Sequence, residues 1–117
     1  MIGYIVQHSP QNCSGFESFF STCLEGLNSD PVAWVFLRGD GVYQGLRNQT
    51  VDEPSFSIPV AGGWRALTAR GVQIFVCRRS AELRGLGKAN SYLEGARLTG
   101  LDQLVRLTLK ADRVVSL

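Results

Sequence analysis

Four short apolar runs punctuate the chain, at positions 2–6, 32–37, 72–76 and 113–117. Each is nearly unbroken rather than alternating, the pattern of strands buried on both faces of a parallel sheet. Between the first two, Phe16, Phe19, Phe20, Cys23, Leu24 and Leu27 fall at i, i+3, i+4, i+7, i+8 and i+11. That single stripe predicts a helix. Asn28-Ser29-Asp30-Pro31 closes it, because Pro31 cannot continue a helix and disfavours helical geometry at Asp30. Leu98, Leu101, Leu104, Val105 and Thr108 repeat the spacing near the other end. There Thr99 and Asp102 read as a capping box, and Lys110 complements the dipole at the far terminus.

The middle is less regular. Asp40 is read as the cap of a short helix over 41–46, although Asp-Gly is also a hairpin signal. Residues 48–63, with Pro54, Pro59 and paired Gly62-Gly63, have no clear period and read as a long surface loop. A helix over 64–70 closed by Gly71 and another over 78–84 ending at Gly85 complete the pattern. Strands alternating with helices imply right-handed crossovers. The expected fold is α/β: a three-layer α/β/α sandwich around a mostly parallel sheet of four to five strands, flavodoxin-like or Rossmann-like. One domain over 1–117 is expected, since 117 residues leave no room for a second core.

Charge narrows the partners. Twelve basic and ten acidic side chains give a net +2, without the concentrated basic surface that nucleic-acid binding requires. No apolar run approaches the ~20 residues that span a bilayer. The opening Met1-Ile2-Gly3-Tyr4-Ile5-Val6 reads as a first strand rather than a secretory signal. A soluble, cytoplasmic chain with no direct contact to nucleic acid or membrane is therefore expected. Cys13, Cys23 and Cys77 are an odd number of cysteines, so reduced thiols are expected rather than a disulfide framework. Their spacing matches no zinc pattern, and the lone His8 cannot complete one.

Ligand sites in open α/β sheets gather at the carboxyl ends of the strands. Cys77 follows the third apolar run directly and a helix begins just after it, so its thiol faces the positive end of a helix dipole. Arg78, Arg79 and Arg84 add cationic charge nearby. All of these favour the thiolate, the form that attacks sulfur and carries it. The competing reading is a buried apolar cysteine at a strand end, which is common. Physical chemistry alone leaves both open.

The segment Cys77-Arg-Arg-Ser-Ala-Glu-Leu-Arg84-Gly85 resembles the "Cys, small residues, Arg-Gly" stretch of the DsrE/TusD-like sulfurtransferase (sulfur-relay) family. Four more segments match in order. They are Phe36-Leu-Arg-Gly-Asp40-Gly41-Val42-Tyr43, Trp64-Arg-Ala-Leu, Leu98-Thr-Gly100-Leu101-Asp-Gln-Leu104 and Ala111-Asp112-Arg113-Val114-Val115. The resemblance implies a bacterial sulfur-relay protein. Its cysteine, here Cys77, would receive sulfane sulfur as a persulfide and pass it on, in tRNA thiolation or sulfur oxidation. It implies no metal or organic cofactor. It also implies donor and acceptor proteins as partners and assembly as a homo- or hetero-oligomer, a trimer or hexamer. Arg78 and Arg79 stand where small apolar residues are usual in the family and would raise affinity for anions such as thiosulfate or a persulfide. The stretch 85–100 looks shorter than in typical members, which would change the partner that docks or expose the persulfide.

Three accessory positions share the expected site edge. Cys13 lies in the loop after the first strand and is a candidate relaying thiol or a passive loop cysteine. His8 is a candidate base or a structural side chain. Asp40 borders the site and the subunit contact in the family. Cys23, on the apolar stripe, is read as core. Two rival functions remain. One is a non-catalytic assembly subunit, with Phe56, Ile58 and Val60 offering an apolar contact. The other is a flavodoxin-like binder of a phosphorylated ligand, for which Ser9-Pro10-Gln11-Asn12-Cys13-Ser14-Gly15 is only a partial phosphate loop.

Overall fold

The computed structural model describes residues 1–9, 14–47 and 60–117. Five strands, β1 (Ile2–Val6), β2 (Ala33–Leu37), β3 (Gln73–Cys77), β4 (Ala96–Thr99) and β5 (Arg113–Ser116), form one sheet in the order β4-β3-β2-β1-β5. Every neighbouring pair is parallel. Four helices accompany them: α1 (Ser14–Ser29), α2 (Val60–Ala69), α3 (Arg78–Leu83) and α4 (Leu101–Lys110).

Handedness places the helices. From β1 to β4 the chain steps in one direction across the sheet, so right-handed crossovers put α1, α2 and α3 on one face. The return from β4 to β5 runs the other way across the whole sheet, which sends α4 to the opposite face. The packing follows this division. Phe19, Phe20, Cys23 and Leu27 of α1, Trp64 and Leu67 of α2, and Ala81 of α3 share a core with Tyr4, Val35, Leu37, Ile74 and Val76. On the other face Leu107 of α4 packs with Trp34, Phe36, Phe75 and Cys77.

The central strands are buried on both faces, as their unbroken apolar runs imply. Gly3 is required by this packing: a Cβ there would lie 2.1 Å from Cζ2 of Trp34, whose indole crosses β1. The run at 113–117 is different. It forms an edge strand with Arg113 and Ser116 exposed, so it is not buried on both sides.

Several expected boundaries are corrected. β4 was not among the four apolar runs, because it is a four-residue edge strand in which Arg97 faces solvent. It takes Leu98 and Thr99 away from the last helix, so the Thr99–Asp102 capping box does not form. Gly100 is the N-cap, and no side chain caps α4. Gly62 and Gly63 belong to α2 rather than to a loop. Helix α3 forms as expected, and Gly85 follows it with φ +73°.

The expected helix over 41–46 is a 3₁₀ segment, Gly39–Gly45, whose N-cap position is Arg38 rather than Asp40. Its tight turn suits Gly41, where a Cβ would meet the Val6 carbonyl oxygen at 2.1 Å. The apolar residues Phe56 and Ile58, like most of 48–63, lie outside the described residues, as does Cys13.

Candidate functional site

Cys77 is the last residue of β3 and the N-cap of α3, with extended backbone at φ −64° and ψ 113°. It pairs in register with Thr99, the last residue of β4. Gly100 follows as the N-cap of α4. Two helices thus leave the sheet from adjacent strand ends, and the positive ends of both dipoles lie beside residue 77. No side chain caps either one.

The Cys77 side chain turns toward the α4 face. It is 3% exposed and packs with Trp34, Phe36, Phe75 and Leu107. The sequence expectation of a thiol at a strand-to-helix junction therefore holds in placement, while the thiol itself is covered. Cavities of about 150 and 400 Å³ border Thr68 and Gly95 near the amino ends of β3 and β4, and neither is lined by Cys77.

Around the strand ends the polar groups divide into two sets. Arg78 reaches across to β4, its guanidinium donating to the Leu98 carbonyl at 3.3 Å. Arg79 is exposed at the start of α3. Further along, Arg84 donates from Nε (3.1 Å) and Nη2 (2.9 Å) to Oδ1 of Asp40. Its Nη1 reaches the Ser80 carbonyl at 3.0 Å, and the Ser80 hydroxyl accepts from Gly39 N–H at 3.0 Å. This lattice holds the 3₁₀ segment against α3. Asp40 accordingly serves as the partner of Arg84 instead of a helix cap.

Gln44 was invisible to the sequence reading. It is the buried polar side chain among the described residues. Its Nε2 donates to the His8 carbonyl at 2.9 Å, and its Oε1 accepts from the Trp64 indole at 3.4 Å. Trp64 in turn stacks on Phe19 with ring centroids 5.1 Å apart. A glutamine in a 3₁₀ segment has no sequence signature that separates such a clamp from a surface residue. His8 enters this clamp through its backbone, and its side chain is exposed. It stands at the end of β1, two strands from Cys77, or roughly 10 Å at usual strand spacing. The structure thus joins Asp40 to Arg84 and sets Arg78 beside the Cys77 strand end, but does not gather His8 there.

The other described thiol has a different setting. Cys23 is fully buried in the α1 core, and burial pushes it up to about 11. Tyr92 is also buried without a hydrogen-bond partner for its hydroxyl, and burial pushes it up to about 12. Among the described residues, no group of three or more His, Cys, Asp or Glu is placed to hold a metal ion. No helix there is long and apolar enough to cross a membrane.

The DsrE/DsrF-like family model matches residues 2–117. The chain belongs to this family. Solved structures share its fold, among them the following two. The ychN protein from E. coli is 20% identical, with 99% of this chain and 97% of that one covered at a TM-score of 0.80. A protein of unknown function, MTH1491 from Methanobacterium thermoautotrophicum, is 14% identical over the same shares at a TM-score of 0.75. No curated protein sequence matches. The five-stranded parallel sheet is thus the DsrE-like architecture, and Cys77 occupies the carboxyl end of its β3.

Proposed function

We propose that this DsrE-like chain is a sulfur carrier that holds sulfane sulfur on Cys77. Family membership points generally to a sulfur-relay role. The observation that carries the assignment to residue 77 is its position at the strand end from which α3 departs, in register with the strand end from which α4 departs. Backbone N–H groups at two helix starts favour an anion there, whether a thiolate or a terminal persulfide sulfur. Arg79, and Arg78 once released from the Leu98 carbonyl, add positive charge for an anionic donor.

In the proposed step the Cys77 thiolate attacks the outer sulfur of a donor persulfide. The donor S–S bond breaks, the donor leaves as its thiolate, and Cys77–S–S⁻ forms. An acceptor thiolate then attacks that outer sulfur and Cys77 leaves as a thiolate. The sulfane sulfur moves without net oxidation, so no redox cofactor enters. The candidate pathways are tRNA thiolation and sulfur oxidation, with donor and acceptor proteins as partners. Since the side chain is covered by Phe36, Phe75 and Leu107, loading requires a local opening at the α4 face.

The test is intact mass after incubation of the reduced protein with a persulfide donor. One added sulfur, lost in Cys77→Ser, is the expected result. Loading that survives Cys77→Ser would assign the sulfur elsewhere.

The burial of Cys77 favours a second reading, a non-catalytic assembly subunit in which this thiol is a packing group. It predicts that Cys77 takes up sulfur only after denaturation.

A further inference from the structure

The two cavities near the amino ends of β3 and β4 form one groove, since both border Thr68 and Gly95. The outer cavity, about 400 Å³, lies between α2 and the turn that precedes β4, with Arg65 on the first wall and Glu94 on the second. The inner cavity, about 150 Å³, reaches Gln73 of β3 and Arg97 of β4. Arg65, Glu94 and Arg97 are exposed, and none of them is ion-paired among the described residues. Arg65 and Glu94 thus border one space without closing on each other. Helix α2 also ends on this space, at Ala69. Its C-terminal cap sends the Gly71 and Val72 N–H groups to the Thr68 and Leu67 carbonyls. The Ala69 carbonyl is left over at the negative end of the helix dipole.

We propose that this groove binds a free acidic α-amino acid, aspartate or glutamate. Two guanidiniums and one carboxylate line the groove, and such a ligand carries the complement, two carboxylates and one ammonium. The ammonium faces Glu94 and the carboxyl end of α2, where helix carbonyls favour a cation. The α-carboxylate takes Arg65 in the outer cavity, and the side-chain carboxylate reaches Arg97 and the Gln73 amide in the inner one. These are charge-assisted contacts, which set orientation as well as affinity, and the volume is that of a small-molecule cleft. A dicarboxylate without an amine sets like charge against Glu94, and an amine without carboxylates leaves both arginines uncompensated. The groove lies at the end of the sheet opposite Cys77. A chain that carries no sulfur would still bind the amino acid.

Backbone amide NMR titrations of the full chain with L-aspartate and with L-glutamate test the site. Saturable shifts centred on Thr68, Glu94 and Gly95 are expected with at least one of them. Its N-acetyl derivative lacks the ammonium and its side-chain amide lacks the second carboxylate. Each should bind about tenfold more weakly or worse. Arg65→Gln, Glu94→Gln and Arg97→Gln should weaken binding by a similar factor. Ala69→Trp keeps every charge but fills the outer cavity, and should abolish the shifts. All four positions are exposed, so every variant should keep the dispersed amide spectrum of the folded chain. The absence of saturable shifts with either amino acid would overturn the proposal. So would an N-acetyl derivative that binds as tightly as the free amino acid, the mark of a simple anion or peptide site. Binding indifferent to the charge substitutions or to Ala69→Trp would overturn it as well.

Discussion

Arg84 and Asp40 face each other across the carboxyl edge of the sheet, with two guanidinium nitrogens on one carboxylate oxygen at 2.9 and 3.1 Å. The pair couples α3, which begins just after Cys77, to the 3₁₀ segment that follows β2. Both side chains are partly solvated, at 26% and 62% exposure, so the ion pair contributes only about 0–1 kcal/mol. Arg84→Ala also deletes the bond to the Ser80 carbonyl. It is expected to cost about 1 kcal/mol more than Asp40→Ala in chemical denaturation. A double-mutant cycle with a coupling energy above about 2 kcal/mol would show that the pair is far better shielded than its exposure implies.

Gly3 has no room for a methyl group. Its Cβ would fall within 2.5 Å of three atoms of the Trp34 ring, and Trp34 is itself enclosed. Gly3→Ala is expected to destabilise by about 1–3 kcal/mol through overpacking. Combining it with Trp34→Phe should recover part of the Gly3→Ala loss, because the smaller ring vacates the site. Strict additivity of the two changes in denaturant midpoint would refute the steric account.

Alkaline stability should report on Cys23. Its thiol ordinarily titrates near 9, and burial raises it to about 11 in the fold. Between those values the unfolded chain has lost a proton that the folded chain keeps. The raised value therefore stabilises the fold fully below about pH 9, and that contribution declines as pH rises toward 11. Cys23→Ala should be less stable than wild type at pH 8 by about 1–2 kcal/mol for the lost packing. The gap should narrow as pH climbs past 9. Parallel stability curves for the two proteins would contradict it.

Thiol labelling separates the two buried cysteines. Cys77 lies at a strand end under one short helix, whereas Cys23 sits in the main core. Local opening at a strand end is less costly than global unfolding. Alkylation of the native protein followed by peptide mapping is expected to modify Cys77 well before Cys23. Equal rates, both tracking global unfolding, would favour the scaffold reading of Cys77.

Much was already legible in one dimension. Unbroken apolar runs at 2–6, 32–37 and 72–76 named the central strands, because a strand covered on both faces has no polar positions to alternate. The helical spacing of Phe19, Phe20, Cys23 and Leu27 named α1, because one face of that helix is buried against the sheet. Cys77 could be placed at the end of β3 from the Gly-free run before it and the helix after it.

What the chain could not declare are relationships across the sheet. β4 has too few apolar positions to stand out, and its pairing with β3 supplies the hydrogen bonds that define it. Gln44 becomes a clamp only because crossovers carry the His8 carbonyl and the Trp64 indole to its two ends. Handedness alone sends α4 to the face opposite the other helices, where Leu107 is buried and Val105 stays in solvent. Periodicity measures how apolar a helix face is; which neighbour it meets is set by the topology.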